Sequence, residues 1–334
     1  MKSLSKYVIL FAALSLTGCK ENGNKDARLI PENSNTAKPQ TYAEISVKEG
    51  GQWEGREYKG GTFQNVQELT VPREHTDHSY YIRYEGPGWE NQQVGYRLYL
   101  DWRNAIDVFG KKTDTMVLPQ VGQDGFDSYH EEAAWGMDIL KAGKSLGIGS
   151  YGRIMNDTVA HFRNVGNTYA QVTNSEGSSE VKIEYTDWAT GNDTIDLTSS
   201  LTIFPEGRFT KAALDPSEAI NGLTTGIVKF ENIEPFQKTS ENGDWAYIAT
   251  YGAQTLVNEQ DKLGLALFYN KNEVAEVKEG PHDHLVIFKE TAGPFTYYFL
   301  AAWEQEPGGI TSREDFVAHL DAQLEQLQQS GKLE

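Results

Sequence analysis

Between Glu44 and Gly309 the chain is built from short runs in which apolar and polar side chains alternate, and this period of two constrains the fold more than any other feature. "HSYYIRYEG", "QVGYRLYLDWR", "SEVKIEYTDW", "IDLTSSLTIFPEGRFTKAAL", "GIVKFENIEPF", "DWAYIATYGAQ", "KLGLALFYN", "HDHLVIFKE" and "PFTYYFLAAWEQ" are rich in Val, Ile, Tyr, Phe and Thr. Gly, Asn, Asp and Pro bound them, as they bound β-strands. "NSEGSSE" and "PEGR" supply hairpin turns. Long helical patterns do not separate the runs, which argues against a doubly wound sheet. Many antiparallel strands in one chain predict an all-β fold of two large sheets packed face to face.

The run "VGYRLYLDWRN" shows what such a strand can carry. Val94, Tyr96, Leu98, Leu100 and Trp102 fall on one face and form core. Gly95, Arg97, Tyr99, Asp101 and Arg103 fall on the other, because successive side chains alternate. That second face is either an ordinary solvated sheet face or a concave surface that grips sugar hydroxyls and carboxylates, with arginine supplying a planar fork.

The ends of the chain read differently. "MKSLSKYVILFAALSLTGC" joins Lys2 and Lys6 to an apolar run over Tyr7–Leu16, too short to span a bilayer and patterned as a signal peptide over residues 1–18. "LTGC" is a lipobox, so Cys19, the only cysteine, is expected to carry lipid. Residues 19–43 are polar and expected to form a flexible lipidated tether, with the β-domain over 44–310. "TSREDFVAHLDAQLEQLQQSGK" offers a capping box, Thr311 with Glu314, and Phe316, Leu320, Leu324 and Leu327 at helical spacing. Residues 311–334 are therefore expected to form one helix packed on the domain.

The formal charge is −18, and loss of Lys2 and Lys6 with a cleaved signal takes it to about −20. This charge argues against nucleic acid as a partner, since phosphate binding wants a basic face. An anionic small substrate is not, because Arg97, Arg103, Lys111, Lys112, Lys141, Lys144, Arg153 and Arg163 concentrate in one segment.

"GFDSYHEEAAWG" places Tyr129, His130, Glu131 and Glu132 side by side between glycines, as a solvated loop or an active-site loop would. "GPHDHLVIF" puts His282 and His284 on one face of a strand, a pair that suits a divalent metal or a base and an acid; Asp283, on the other face, is a poor third ligand. His75 and His78 lie in a turn and read as surface histidines, and His161 sits beside Arg163. Trp89 and Trp135 are loop candidates for stacking on sugar rings, whereas Trp102 reads as core. "GKSLGIGSYG" lacks the spacing of a phosphate-binding loop.

"GWENQQVGYRLYLDWRNAIDVFGKK" followed by "VGQDGFDSYHEEAAWGMDILKAGKSLGIGSYG" resembles a family of exported bacterial proteins long catalogued as of unknown function and found with marine-polysaccharide enzymes. One activity in that family is ulvan oligosaccharide dehydratase. The strand pattern also resembles the galactose-mutarotase-like supersandwich, which here would carry a C-terminal helix. The resemblance implies a dehydratase that removes water from the non-reducing-end uronic acid of an oligosaccharide, leaving a 4,5-unsaturated residue. It implies an anionic oligosaccharide as substrate and fits a lipoprotein of the outer membrane facing the periplasm or the cell surface; no cofactor is expected beyond the possible divalent metal at His282 and His284. A sugar epimerase or mutarotase, and a non-catalytic carbohydrate-binding lipoprotein, are the alternatives.

Such a reaction needs donors that stabilise charge on the carboxylate, a base for the C-5 proton and an acid for the departing hydroxyl. On the resemblance, Arg103 and Asn104 clamp the carboxylate and Arg97 assists. His130 is the base, Tyr129 or a second histidine (His282 or His284) the acid, and Glu131 or Glu132 orients His130. Trp89, Glu90, Asn91, Lys111 and Trp135 are candidates for holding the sugar.

Overall fold

The computed structural model describes residues 40–125 and 128–334. The signal segment, Cys19 and most of the expected tether lie outside the described residues. The protein is mostly β, with antiparallel sheets packed together and a single C-terminal helix, as the alternation predicts.

One layer is a nine-stranded sheet in the spatial order Phe236–Thr239, Trp245–Ala253, Lys262–Asn270, Phe295–Trp303, Phe209–Pro216, Asp193–Ile203, Ser179–Thr190, Asn167–Asn174 and Glu68–Thr70. The layer facing it is composite. A six-stranded sheet runs Glu57–Val66, Thr41–Glu54, Gly88–Asn91, Val94–Leu98, Ile106–Lys111 and Gly136–Asp138. A five-stranded sheet runs Val274–Glu279, Asp283–Phe288, Leu223–Val228, Ile148–Met155 and Thr158–Ala160. The two meet at a parallel bridge between Ile106 and Gly147, where the Ile106 amide donates to the Leu146 carbonyl at 3.1 Å. Gly147 has φ +72°, and a Cβ there would lie 1.8 Å from the Ile106 oxygen, so only glycine closes this seam.

Side chains from all three sheets share one core, with Tyr96, Tyr151, Leu201, Tyr297 and Phe299 buried between the layers. The far face of the nine-stranded sheet is apolar too, and the helix Arg313–Ser330 covers it. Phe316, Leu320, Leu324 and Leu327 pack there on Phe268, Tyr298 and Leu300. Neighbouring Tyr297 and Tyr298 thus serve opposite faces of one strand, as alternation requires. The helix cap is Ser312 rather than Thr311: helical geometry begins at Arg313, and the Ser312 hydroxyl accepts from the Asp315 amide at 3.0 Å.

Two further expectations are corrected. Thr41–Ala43, read as tether, pair with the strand Gly88–Asn91 and belong to the sandwich. "HSYYIRYEG" is not a strand: His78, Tyr80, Tyr84 and Glu85 have positive φ, and a 3₁₀ turn spans Arg83–Glu85. The turn carries Arg83 and Tyr84 inward to the buried Glu44 carboxylate, which pairs with the guanidinium and accepts the Tyr84 hydroxyl at 2.7 Å.

Candidate functional site

The strand Val94–Leu98 alternates as its sequence dictates. Val94, Tyr96, Leu98 and Leu100 enter the shared core, and Arg97 projects from the opposite face into a buried network of ionisable groups. Its Nη2 donates to Asp138 Oδ2 at 2.5 Å, to Asp107 Oδ2 at 3.1 Å and to the Tyr99 hydroxyl at 3.0 Å. Its Nη1 donates to the Tyr129 hydroxyl and the Tyr84 carbonyl, both at 3.2 Å. The Tyr99 hydroxyl in turn donates to Asp107 at 2.5 Å. Burial pushes the Asp107 carboxyl up, and the Asp138 charge beside it adds to the rise against the pull of Arg97. Burial pushes Asp138 up as well, again opposed by Arg97. Removal from water works against the Arg97 charge, yet the surrounding carboxylates hold its pKa well above the ordinary value.

Arg103 belongs to the same network. Its Nη2 donates to Asp101 at 2.5 Å and to Glu85 at 2.7 Å, and Glu85 also lies 3.8 Å from Arg97. The guanidinium carbons of Arg97 and Arg103 stand 4.7 and 4.0 Å from the centre of the Tyr99 ring.

Two histidines sit where the network meets the surface. His130 Nε2 is 3.5 Å from Asp138 Oδ2, and its ring lies 4.4 Å from that of Tyr129. His78 donates its backbone N–H to Glu85 at 2.9 Å and holds Nδ1 3.9 Å from the same carboxylate. The side chains of His130 and His78 are 36% and 54% exposed, so both imidazoles are reachable from solvent while Arg97 is not. Arg103 and His130, expected to act together, are thus joined through Glu85, Arg97 and Asp138.

Several expected roles do not match the geometry. The Tyr129 hydroxyl is turned inward to Arg97, and Tyr129 is 1% exposed, away from any ligand that approaches from solvent. Both arginines already hold protein carboxylates. Asn104, at φ +47°, is buried away from them: it accepts the Tyr185 hydroxyl at 2.6 Å and donates to the Tyr151 carbonyl at 3.1 Å. Glu131 and Glu132 are exposed, Glu132 pairing with Lys112, and the carboxylate beside His130 is Asp138. Trp89, Glu90, Asn91 and Lys111 are all interior, because "GWEN" is a central strand and not a loop. Trp89 donates to Thr210 at 2.9 Å, Glu90 pairs with Lys111 at 2.7 Å, and Asn91 donates to the Phe204 and Gly207 carbonyls. Trp135 is half-buried, edge-on to Phe109 at 5.9 Å.

His282 and His284 part company because the strand starts only at Asp283. His282 is exposed on a cleft, whereas His284 is buried on the face of Val286 and Phe288, and neither of its ring nitrogens has a hydrogen-bond partner among the described residues. Among the described residues no group of three or more His, Cys, Asp or Glu side chains is placed to hold a metal ion.

Beyond Arg103 lies a cleft of two lobes, about 590 and 280 Å³. Trp102 and Arg163 line both, with the guanidinium carbon 3.5 Å from the Trp102 ring centre. Trp102, expected in the core, is half-exposed because the strand stops at Leu98 and a turn follows. His161 Nδ1 donates to the Arg103 carbonyl at 2.8 Å beside the smaller lobe. His75, expected at the surface, is half-buried against the larger lobe; removal from water lowers its pKa to about 4, and its Nδ1 meets the Ser79 hydroxyl at 2.8 Å.

A family model described as "Domain of unknown function (DUF4861)" matches residues 12–332. A search of curated proteins finds no match to the chain.

Proposed function

Starting from the fact that the chain belongs to the family described as "Domain of unknown function (DUF4861)", we propose that it is a dehydratase acting on uronic-acid-ended oligosaccharides such as ulvan fragments. One observation carries the reading: two solvent-reachable imidazoles, His130 and His78, each stand within 4 Å of a carboxylate, and both carboxylates are tied to one and the same buried arginine, Arg97. An elimination needs one group to take a proton and another to give one. In this reading His130 takes the proton from C-5 of the terminal uronate. Protonated His78 gives its proton to the C-4 oxygen as the C–O bond breaks, and water leaves. The electrons of the C–H bond become the new C-4/C-5 double bond. Solvent then resets the two imidazoles. Asp138 and Glu85 orient the rings, and Arg97 and Arg103 keep those carboxylates from drifting.

The enzyme would work as a lipoprotein held at the outer membrane through Cys19, facing the periplasm or the cell surface. The test is incubation with a defined uronic-acid-ended oligosaccharide, read by mass spectrometry and ultraviolet absorbance. Loss of one water with growth of the unsaturated-uronate band is expected. Unchanged mass across a panel of such substrates sinks the proposal.

A further inference from the structure

The two-lobed cleft is anomalous in so acidic a protein. The chain carries a formal charge of −18, yet Arg73 and Arg163 line the larger lobe and Arg163 and Lys144 the smaller. None of these three cations has a carboxylate within ion-pair distance among the described residues, whereas Arg97 and Arg103 nearby each pair with carboxylates. The carboxylates on the walls are turned to partners of their own. Asp101 pairs with Arg103 at 2.5 Å, and Asp283 is buried and accepts the Leu146 amide at 2.8 Å. Between the lobes stands the Trp102–Arg163 stack. An aromatic face beside an uncompensated guanidinium suits a pyranose that bears a negative group: the ring packs C–H faces, and the guanidinium forks two oxygens of the anion.

We propose that this cleft is a binding site for a pyranose residue carrying an anionic substituent, a carboxylate or a sulfate ester, recognised by Arg163 over Trp102. His75 and Thr76 form part of the wall of the larger lobe, and His78 follows them in the same turn. The bound residue is therefore the neighbour of the sugar that reacts. That adjacency rests on the dehydratase reading; the binding itself does not.

Calorimetry on the full chain with methyl glucuronide, glucose 6-sulfate and methyl glucoside tests it without turnover. An anionic probe should bind roughly tenfold or more tighter than the neutral one, as expected for a charge-assisted contact. Arg163→Ala should abolish that preference while the far-ultraviolet circular dichroism stays unchanged. Preference for the glucuronide alone identifies a carboxylate ligand, and preference for the sulfate alone a sulfate ester. Equal binding of all three probes, or a folded Arg163→Ala protein that keeps the preference, overturns the proposal. Should that variant fail to fold, the wild-type protein decides: anionic binding that does not weaken from about 0.05 to 0.5 M salt overturns it. Arg163-dependent binding with no water lost from any substrate would leave this site standing and remove the dehydratase.

Discussion

Arg97 and Asp107 face each other directly across neighbouring antiparallel strands, and their side chains meet at 3.1 Å in the interior of the protein. Strand register therefore builds the charged network: the pairing that aligns the backbones also sets a guanidinium against a carboxylate. With Asp138 on the next strand and Glu85 on the 3₁₀ turn, one arginine anchors three acids from three segments.

Arg97→Ala should destabilise the protein by about 3–5 kcal/mol, the usual effect of stripping the counter-ion from buried charge. Asp107→Asn should cost clearly less, because it removes one of two crowded carboxyls. Urea unfolding midpoints of the two variants check the order, and a reversed order would refute the view that Arg97 is the keystone.

His130→Ala and His78→Ala should each lower turnover by about 10²–10⁴-fold, the range of a general acid or base, without shifting the unfolding midpoint. Glu132→Ala should leave turnover alone, since that carboxylate pairs with Lys112. Steady-state kinetics with a uronic-acid-ended substrate separates these outcomes.

Lys111→Met and Trp89→Ala should act on stability alone. The first leaves buried Glu90 without its ammonium partner and should cost about 3–5 kcal/mol; the second opens a core cavity with a similar penalty of about 3–5 kcal/mol. Normal KM in whatever fraction remains folded is the expected result. A raised KM in folded protein would restore these residues to the binding surface.

Asp283 predicts a pH dependence. Its ordinary pKa is 3.8, and burial raises it to about 7 in the folded state. Between these values the unfolded chain has released the proton while the folded chain retains it, so stability falls as pH rises through this window. Asp283→Asn keeps an oxygen for the Leu146 amide and removes the titration. Denaturation midpoints from pH 4 to 7 should decline more steeply for the wild type than for the variant.

Ser312→Ala should cost about 1 kcal/mol through the lost helix cap, and Thr311→Ala close to nothing. Thermal melts of the two proteins distinguish them.

Alternation made the layers legible, down to Arg97 and Tyr99 sharing a face. It failed where strands ended. The period carried past Leu98 puts Trp102 in the core, but the strand stops there and a turn follows; it also pairs His282 with His284, although the strand begins only at Asp283. "GPGWEN" reads locally as a glycine-proline loop, yet the pairing of its last four residues with 41–44 makes it central strand, and nothing local signals a contact so distant in sequence. Asp107 and Asp138 did leave a trace, a lone acid inside each of the apolar runs "AIDVFG" and "GMDIL". Knowing that both turn toward Arg97 required the order of the strands.

The network around Tyr99 holds four acids, Glu85, Asp101, Asp107 and Asp138, against two guanidinium groups. Left fully ionised, it would confine a surplus of negative charge where water cannot dilute it. The elevated affinity of Asp107 and Asp138 for hydrogen ions relieves that surplus. Sheet pairing alone thus sets side by side two carboxyls on which burial favours the hydrogen-bearing form, one of them 3.5 Å from the His130 ring.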